Sequence, residues 1–380
     1  MNTFRVMAPT RVIAGRNALS ELGAEVAKLG SRVLVVSDKG VTAAGLTGIV
    51  TESFKENKVS FESFDNVESN PTVENVEGAL TVLKRIDAEV VIGVGGGSPM
   101  DTAKAAAVLA TNGGAVVDYE GFEKLKVRPL PVITVPTTVG TGSEVTKGAV
   151  ISDHSLHRKL IVVSDWMYPR SAYLDPRMVA GLPSSITAAT ALDALTHSIE
   201  GYVALGANPF SDALNLRAIQ MVGQYLRPAV AGRGEPLHQM QIAACLAGNG
   251  FHNAGLGLVH ALASTVGGHY PVHHGVTNGI ILPHVMAFNL IAAPERFAEV
   301  AQAMGERIDG LNIMDAADRA VAAVHRLIKD VGMPSRLRDL GVKEESLPDI
   351  AKGSLDQLDR PPNPRKNTEK DLLGILKLAF

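Results

Sequence analysis

Two sets of residues in this chain of 380 have types and spacing suited to chemistry. The first opens with Asp193 and His197 in the stretch ATALDALTHSIEGY, which reads as helix, so a carboxylate and an imidazole four residues apart leave one face a turn from each other. That spacing can chelate a cation, although such a pair taken alone is more often a hydrogen-bonded partnership. Residues 252–284 then place six histidines among Gly, Ala and Leu. So apolar a region is expected to be buried, where imidazoles need hydrogen-bond partners or a metal to offset lost solvation. His260 is expected mid-helix, His273 and His274 precede another helical run, and a turn through Gly267-Gly268 would bring His260 beside one of them. Spacing leaves His273 and His274 as alternatives. One carboxylate with neutral imidazoles suits Fe(II) or Zn(II) and keeps a position for a substrate oxygen, whose proton such an ion makes labile near neutral pH. His252, His269 and His284 are assigned supporting or packing roles.

The second set lies at the ends of apolar runs in the first half. In VVIGVGGGSPMDTAK a strand over 90–94 enters Gly95-Gly96-Gly97-Ser98, and Pro99 stands where the first turn of a helix tolerates proline. Adjacent glycines let backbone N–H groups approach a pyrophosphate unobstructed, and the following helix turns its positive end to the same anion. A tight turn without a ligand is the plainer reading, and the pattern departs from G-x-G-x-x-G because Ser98 holds the last position. The ribose-binding acid of a standard dinucleotide fold, about 20 residues on, would be Asp118. Asp38, which ends the run RVLVVSD, is preferred: its carboxylate can accept from ribose hydroxyls and repel a 2′-phosphate, favouring NAD over NADP, or it can cap the turn at Lys39-Gly40. In VITVPTTVGTGSEVT the hydroxyls of Thr137, Thr138, Thr141, Ser143 and Thr146 surround an expected helix start, where they would bond a nucleotide or cap the helix.

These residues need elements to hold them. Up to about residue 180, β-rich apolar runs alternate with amphipathic stretches, which reads as a parallel sheet with crossover helices. Each run ends in Gly, Asp, Ser or Thr, at the carboxyl ends of strands where open α/β sheets bind ligands. The opening FRVMAPTRVIAG reads as a hairpin or pair of strands, followed by a helix from about Ala18 to Leu29. From Leu182-Pro183-Ser184 onward Ala, Leu, Met and His recur at helical spacing, broken by turns such as Gly206-Ala207-Asn208-Pro209. The expected fold class is α/β plus all-α: an NAD-binding α/β domain with a parallel sheet over 1–182, then an all-helical metal and substrate domain over 183–380. The length suits two cores. Prolines in the segment 359–365 forbid regular helix there.

Composition narrows the function classes. A net charge of −3 with no basic block offers nucleic acid no counterion-releasing surface. Cys245 is the sole cysteine, which excludes an intrachain disulfide or a thiolate metal cluster and points to a reducing compartment. The first residues lack a signal peptide's apolar core, and no run of about 20 apolar residues stands out, so a cytoplasmic protein without a membrane partner is expected.

Six motifs, GGGSPMDTAK (95–104), PTTVGTGSEVT (136–146), ALDALTHSIEGY (191–202), GLGLVHALA (255–263), HHGVTNGIILPHVMAFN (273–289) and NPR (363–365), occur in an order that resembles the iron-containing, or group III, alcohol dehydrogenases over essentially the whole chain. The resemblance implies a dehydroquinate synthase-like plan, with the active site in a cleft between the two domains. It implies metal ligation by Asp193, His197, His260 and His274, the last two also counted as catalytic. Gly96, Gly97 and Ser98 would contact the pyrophosphate, Asp101, Thr137 and Thr138 the coenzyme, Asp38 a ribose, and Lys159 the nicotinamide ribose. The implied reaction moves a hydride between NAD and a small, primary alcohol or diol, giving an aldehyde or ketone, with Fe(II), Zn(II) or another divalent metal. The implied assembly is a homodimer or larger, paired through N-terminal strands. Lactaldehyde reductase-like members carry a second histidine where this chain has Ser264, a polar amide where it has Gly148, and a cysteine where it has Asp359. A different or simpler substrate is therefore expected, with His269 or His273 as relay candidates; Phe251 reads either as a wall of the substrate pocket or as an ordinary core phenylalanine. The competing readings are a metal- and NAD-dependent lyase or synthase of the dehydroquinate synthase type, a maleylacetate reductase-like or glycerol dehydrogenase-like activity, and a non-catalytic binding protein.

Overall fold

The computed structural model describes residues 3–155, 158–355 and 362–380. They form two units, Ala8–Leu182 and Pro183–Phe380, the stretch ending at Met7 belonging with the second.

In the first unit β1 (Arg11–Ala14), α1 (Leu22–Ala27), β2 (Arg32–Val36), α2 (Lys39–Ala43), α3 (Leu46–Thr51), β3 (Ser60–Phe64), α4 (Val73–Arg85), β4 (Val90–Gly95) and α5 (Gly97–Asn112) alternate along the chain. They are followed by β5 (Gly121–Phe122), β6 (Val132–Pro136), β7 (Gly148–Asp153), β8 (Arg158–Val163) and β9 (Ser171–Leu174). Six strands form a parallel sheet in the order β1-β9-β6-β4-β2-β3. Leu34, Val36 and Val91 pack on one face with α4 and α5, while Val33, Val35 and Ile92 pack on the other with α1 and α3. Burial of both faces is why these strands are unbroken apolar runs and not alternating ones.

Chain order reverses at β2 and β4: β3 lies outside β2, and β6, β9 and β1 continue from β4. In an open α/β sheet such a switch point, at the carboxyl ends of the strands, is where ligands bind. Cross-strand bonds tie these ends together, since Ser37 Oγ donates to the Val94 carbonyl at 2.9 Å and the Thr137 N–H donates to the Gly95 carbonyl at 2.9 Å.

Three local expectations are corrected. The opening stretch is one parallel edge strand, β1 beside β9, and not a hairpin; Pro9, without an N–H, ends the possible ladder on its amino-terminal side. The expected helix Ala18–Leu29 is a 3-10 turn, Ala18–Glu21, followed by the shorter α1. The hydroxyl-rich stretch after Thr137 starts no α-helix: Gly142, at φ 65°, turns the chain through a 3-10 turn at Ser143–Val145 into β7. There β7 pairs antiparallel with β8, and β5 completes a small second sheet.

The second unit, among the described residues, is helical: α6 (Ser184–Val203), α7 (Pro209–Val230), α8 (Gly234–His252), α9 (Leu258–His269), α10 (His274–Asn289), α11 (Pro294–Ala303), α12 (Ile313–Asp330), α13 (Leu347–Leu355) and α14 (Glu369–Ala379). Every residue of α6 from Thr187 to Val203 is buried, including the polar stripe that carries Asp193, His197 and Glu200, and α7, α8 and α10 pack around it. Gly267 and Gly268 lie inside α9, so the connection to α10 is made by residues 270–273 instead. The span His274–Ala292 is long and apolar enough to cross a bilayer, yet 67% of it is buried within the protein, which makes it a core helix by packing. Part of the proline-rich segment 359–365, including Asp359, lies outside the described residues.

Candidate metal centre and nucleotide site

Three helices of the second unit converge on one carboxylate. Asp193 and His197 project from α6, His260 from the first turn of α9, and His274 is the first residue of α10. The Nε2 atoms of His260, His197 and His274 lie 3.5, 3.7 and 3.9 Å from Asp193 Oδ1. The donor atoms of Asp193, His260 and His274 all fall within 4.8 Å of one another. Bonds of about 2.0–2.2 Å from a divalent ion to nitrogen and oxygen put tetrahedral neighbours roughly 3.4 Å apart, so donor chemistry and spacing both fit a shared cation. Between the two candidates that spacing left open, it is His274 whose ring reaches Asp193; His273 is exposed and occupies the N-cap position of α10. His269 is exposed at the end of α9.

Backbone contact makes this convergence possible. A Cβ at Gly275 would lie 2.2 Å from the Ala189 carbonyl oxygen and 3.4 Å from Asp193 Cβ, and one at Gly279 would lie 2.8 Å from Leu192 Cδ1. Glycine at both positions lets α10 settle directly on α6, which carries His274 to Asp193. The imidazole of His197 stacks on that of His260 at 4.6 Å and on Phe251 at 4.4 Å, so Phe251 braces a candidate ligand by ring contact.

Two residues outside the predicted ligand set complete the centre. Glu200, on the Asp193–His197 face of α6, meets His260 Nδ1 with Oε2 at 2.5 Å and accepts the Val259 N–H with Oε1 at 2.6 Å. Asn278, one turn after His274, donates its amide to Asp193 Oδ1 at 2.7 Å, and the same nitrogen stands 3.3 and 3.1 Å from His260 and His274 Nε2. The signal was present: Glu200 follows His197 by three residues and Asn278 follows His274 by four, the offsets that keep side chains on one helix face. Burial opposes charge on Asp193, but the surrounding imidazoles of His197, His260 and His274 override it and hold the carboxyl below the usual carboxylate range. Burial likewise opposes an imidazolium at His260, yet Glu200 and Asp193 on its two nitrogens raise its pKa to about 9.

In the first unit Asp38, Gly96, Gly97, Ser98, Thr137 and Thr138 occupy the carboxyl ends of the adjacent strands β2, β4 and β6 and the segments that leave them. Asp38 is the N-cap of α2, its carboxylate accepting the Val41 N–H at 2.9 Å. Gly96 and Gly97 open α5; a Cβ on either would press within 3.3 or 3.2 Å of Thr138 or Thr141. The Thr138 hydroxyl is buried and, among the described residues, has no hydrogen-bond partner. A glycine turn at a helix N-terminus beside an unsatisfied hydroxyl fits a phosphate-bearing ligand. Lys159, on β8, donates to Asn70 Oδ1 at 3.1 Å. Asp101 is placed in an internal network, its two oxygens accepting from Ser143 Oγ at 2.6 Å and the Val150 N–H at 3.0 Å. The buried Lys104 donates to Ser143 Oγ and to the Gly148 carbonyl, which fixes the turn into β7. Asp118 caps its own turn by accepting the Ala115 N–H.

Family comparison agrees with this layout. Residues 9–176 match the iron-containing alcohol dehydrogenase model, and residues 187–380 match the C-terminal model of the Fe-containing alcohol dehydrogenase family. The chain belongs to the iron-containing alcohol dehydrogenase family. Within that family it is 41% identical over 382 residues to 1,3-propanediol dehydrogenase of Klebsiella pneumoniae, covering 99% of each chain. It is 38% identical over 376 residues to NAD-dependent methanol dehydrogenase of Bacillus methanolicus, covering 98% of each. A crystal structure of 1,3-propanediol oxidoreductase superposes with a TM-score of 0.97 at 40% identity, covering 100% of both chains. This alcohol dehydrogenase fold thus combines a parallel-sheet unit with a helical unit carrying the cation donors.

Proposed function

We propose that the chain is a metal- and NAD-dependent oxidoreductase that interconverts a small, primary alcohol or diol and its aldehyde or ketone. The observation that carries the reading is the meeting of the donor atoms of Asp193, His260 and His274 within 4.8 Å of one another, with His197 Nε2 3.7 Å from Asp193 Oδ1. Relatives named for propanediol and for methanol support a short, hydroxylated substrate, and the second is named as NAD-dependent. Fe(II) is the proposed ion, with Zn(II) next; when bound it supplies the Lewis acidity that makes a substrate hydroxyl easier to deprotonate.

The chain's residues do the rest. Three neutral imidazoles and one carboxylate leave a divalent site cationic, which holds electron-rich oxygen in preference to carbon. At the other unit the N–H groups of Gly96, Gly97 and Ser98 and the positive end of α5 take the pyrophosphate, Asp38 accepts from ribose hydroxyls, and Thr137, Thr138 and Lys159 add polar contacts. Asp101 contributes by bracing the Ser143 turn. The open edge of β1, with Val12 exposed, is proposed to pair with a second copy of the chain, and the lone Cys245 accords with cytoplasmic residence.

The test is NADH formation from C1 to C6 alcohols and diols by protein loaded anaerobically with Fe(II) or Zn(II). Turnover that disappears in His274→Ala and on chelation supports the reading. Full activity in either condition sinks it, as does NAD recycled without net NADH, the behaviour of a synthase.

A further inference from the structure

We propose that Glu200 is a positioning residue of the metal centre, holding the His260 ring so that Nε2 offers its lone pair toward Asp193, and strengthening the grip of the centre on a divalent cation. The proposal rests on the metal-centre reading given above and deepens it.

Glu200 is 4% exposed, and an ionised carboxylate so deep is costly unless its oxygens are satisfied. Both are, and both by α9: Oε1 accepts the Val259 N–H at 2.6 Å and Oε2 lies 2.5 Å from His260 Nδ1. The imidazole that binds a cation is neutral and carries one N–H; the hydrogen bond to Oε2 requires it on Nδ1, which leaves the Nε2 lone pair for an ion shared with Asp193 Oδ1, 3.5 Å away. A carboxylate behind a metal-bound imidazole also makes the ring a stronger electron donor.

Space for this carboxylate is built into the next motif. A Cβ at Gly257, the N-cap residue of α9, would lie 2.7 Å from Oε1 and 3.3 Å from Asn363 Oδ1. Asn363, from the NPR motif, is fixed by a reciprocal amide pair with Asn289 at 2.8 Å in each direction. The structure therefore clears and walls a seat for the Glu200 side chain on the face of His260 away from Asp193. A role confined to tying α6 to α9 would need only the backbone bond from Val259.

The experiment measures cation affinity by competition with a chromogenic chelator, using Zn(II), alongside NADH binding and the melting temperature of the metal-free protein. Glu200→Gln keeps the shape and removes the charge. It is expected to weaken Zn(II) binding about 10- to 100-fold while NADH affinity stays unchanged, with Glu200→Asp recovering part of the loss. Zn(II) affinity within twofold of the parent in Glu200→Gln overturns the proposal, as does a loss of Zn(II) affinity no larger than the parallel loss of NADH affinity. The parent protein gives an independent reading if a variant does not fold. In the Co(II)-loaded parent, the His260 Nδ1 proton should exchange with solvent far more slowly than the ring N–H of His274, whose side chain is 31% exposed. Equal exchange overturns the proposal. Failure of the parent to bind Zn(II) or Co(II) would instead overturn the metal-centre reading beneath it, so the two failures are distinct.

Discussion

Gly275 of α10 and Ala189 of α6 meet backbone to backbone: a methyl group at 275 would stand 2.2 Å from the Ala189 carbonyl oxygen. That contact sets how far His274 reaches toward Asp193. Because the obstacle is backbone and not a flexible side chain, Gly275→Ala must push the two helices apart. A loss of about 1–3 kcal/mol is expected from overpacking, together with weaker cation binding because three donors sit on α6 and α10. Urea midpoints and bound metal per chain check this, and a variant with parental values of both would show that the helix contact does not set the donor spacing.

Much of this was legible beforehand, and the remainder was hidden for identifiable reasons. Strand runs such as 32–36 and 90–95 declare themselves because both faces are buried, and Asp193 with His197 declares itself by helical spacing. Glu200 and Asn278 lie in the same motifs, but their work appears only when α9 and α10 are set against α6. Asp101 reads locally as a coenzyme contact in the glycine motif; that its carboxylate also accepts the Val150 N–H, 49 residues away, is invisible to any local pattern. The hydroxyls after Thr137 look alike ahead of an α-helix or a single 3-10 turn, and the sheet pairing of β7 with β8 decided between them.

Coenzyme choice tests the end of β2. The Asp38 carboxylate accepts the Val41 N–H and stands next to the switch point of the sheet. Asp38→Gly removes a negative charge that would repel a 2′-phosphate, while glycine at an N-cap costs only a few tenths of a kcal/mol. The ratio of kcat/KM for NADP to that for NAD should rise about tenfold or more, a change of roughly 1.4 kcal/mol. An unchanged ratio would mean that the ribose is read elsewhere.

Asn278 orients Asp193 through a buried 2.7 Å hydrogen bond. Asn278→Ala leaves that carboxylate oxygen without its amide donor, so the carboxylate becomes free to rotate away from the imidazoles. With saturating metal, kcat should fall about tenfold, the lower range for loss of an outer partner to a metal ligand. NADH affinity should not move. Parental kcat, or an equal loss of NADH binding, would exclude an orienting role.

The first unit also carries a pH dependence of stability. Glu144 is 2% exposed, and burial raises its pKa from 4.5 to about 7 against the opposing pull of its own backbone N–H and of Lys104. The folded state therefore keeps a proton that the unfolded chain releases, so this contribution to stability is fully present below pH 4.5 and is lost as pH rises to about 7. At about 1.4 kcal/mol per unit the loss amounts to roughly 3 kcal/mol at most. Glu144→Gln, neutral at every pH, lacks this loss, and subtracting parent from variant cancels the groups that do not interact with Glu144; Lys104, whose charge Glu144 supports, is the one coupled neighbour that remains in the difference. Urea midpoints should consequently shift in favour of the variant between pH 5 and pH 8. A difference that stays constant or reverses would show that Glu144 titrates near its ordinary value in the folded protein.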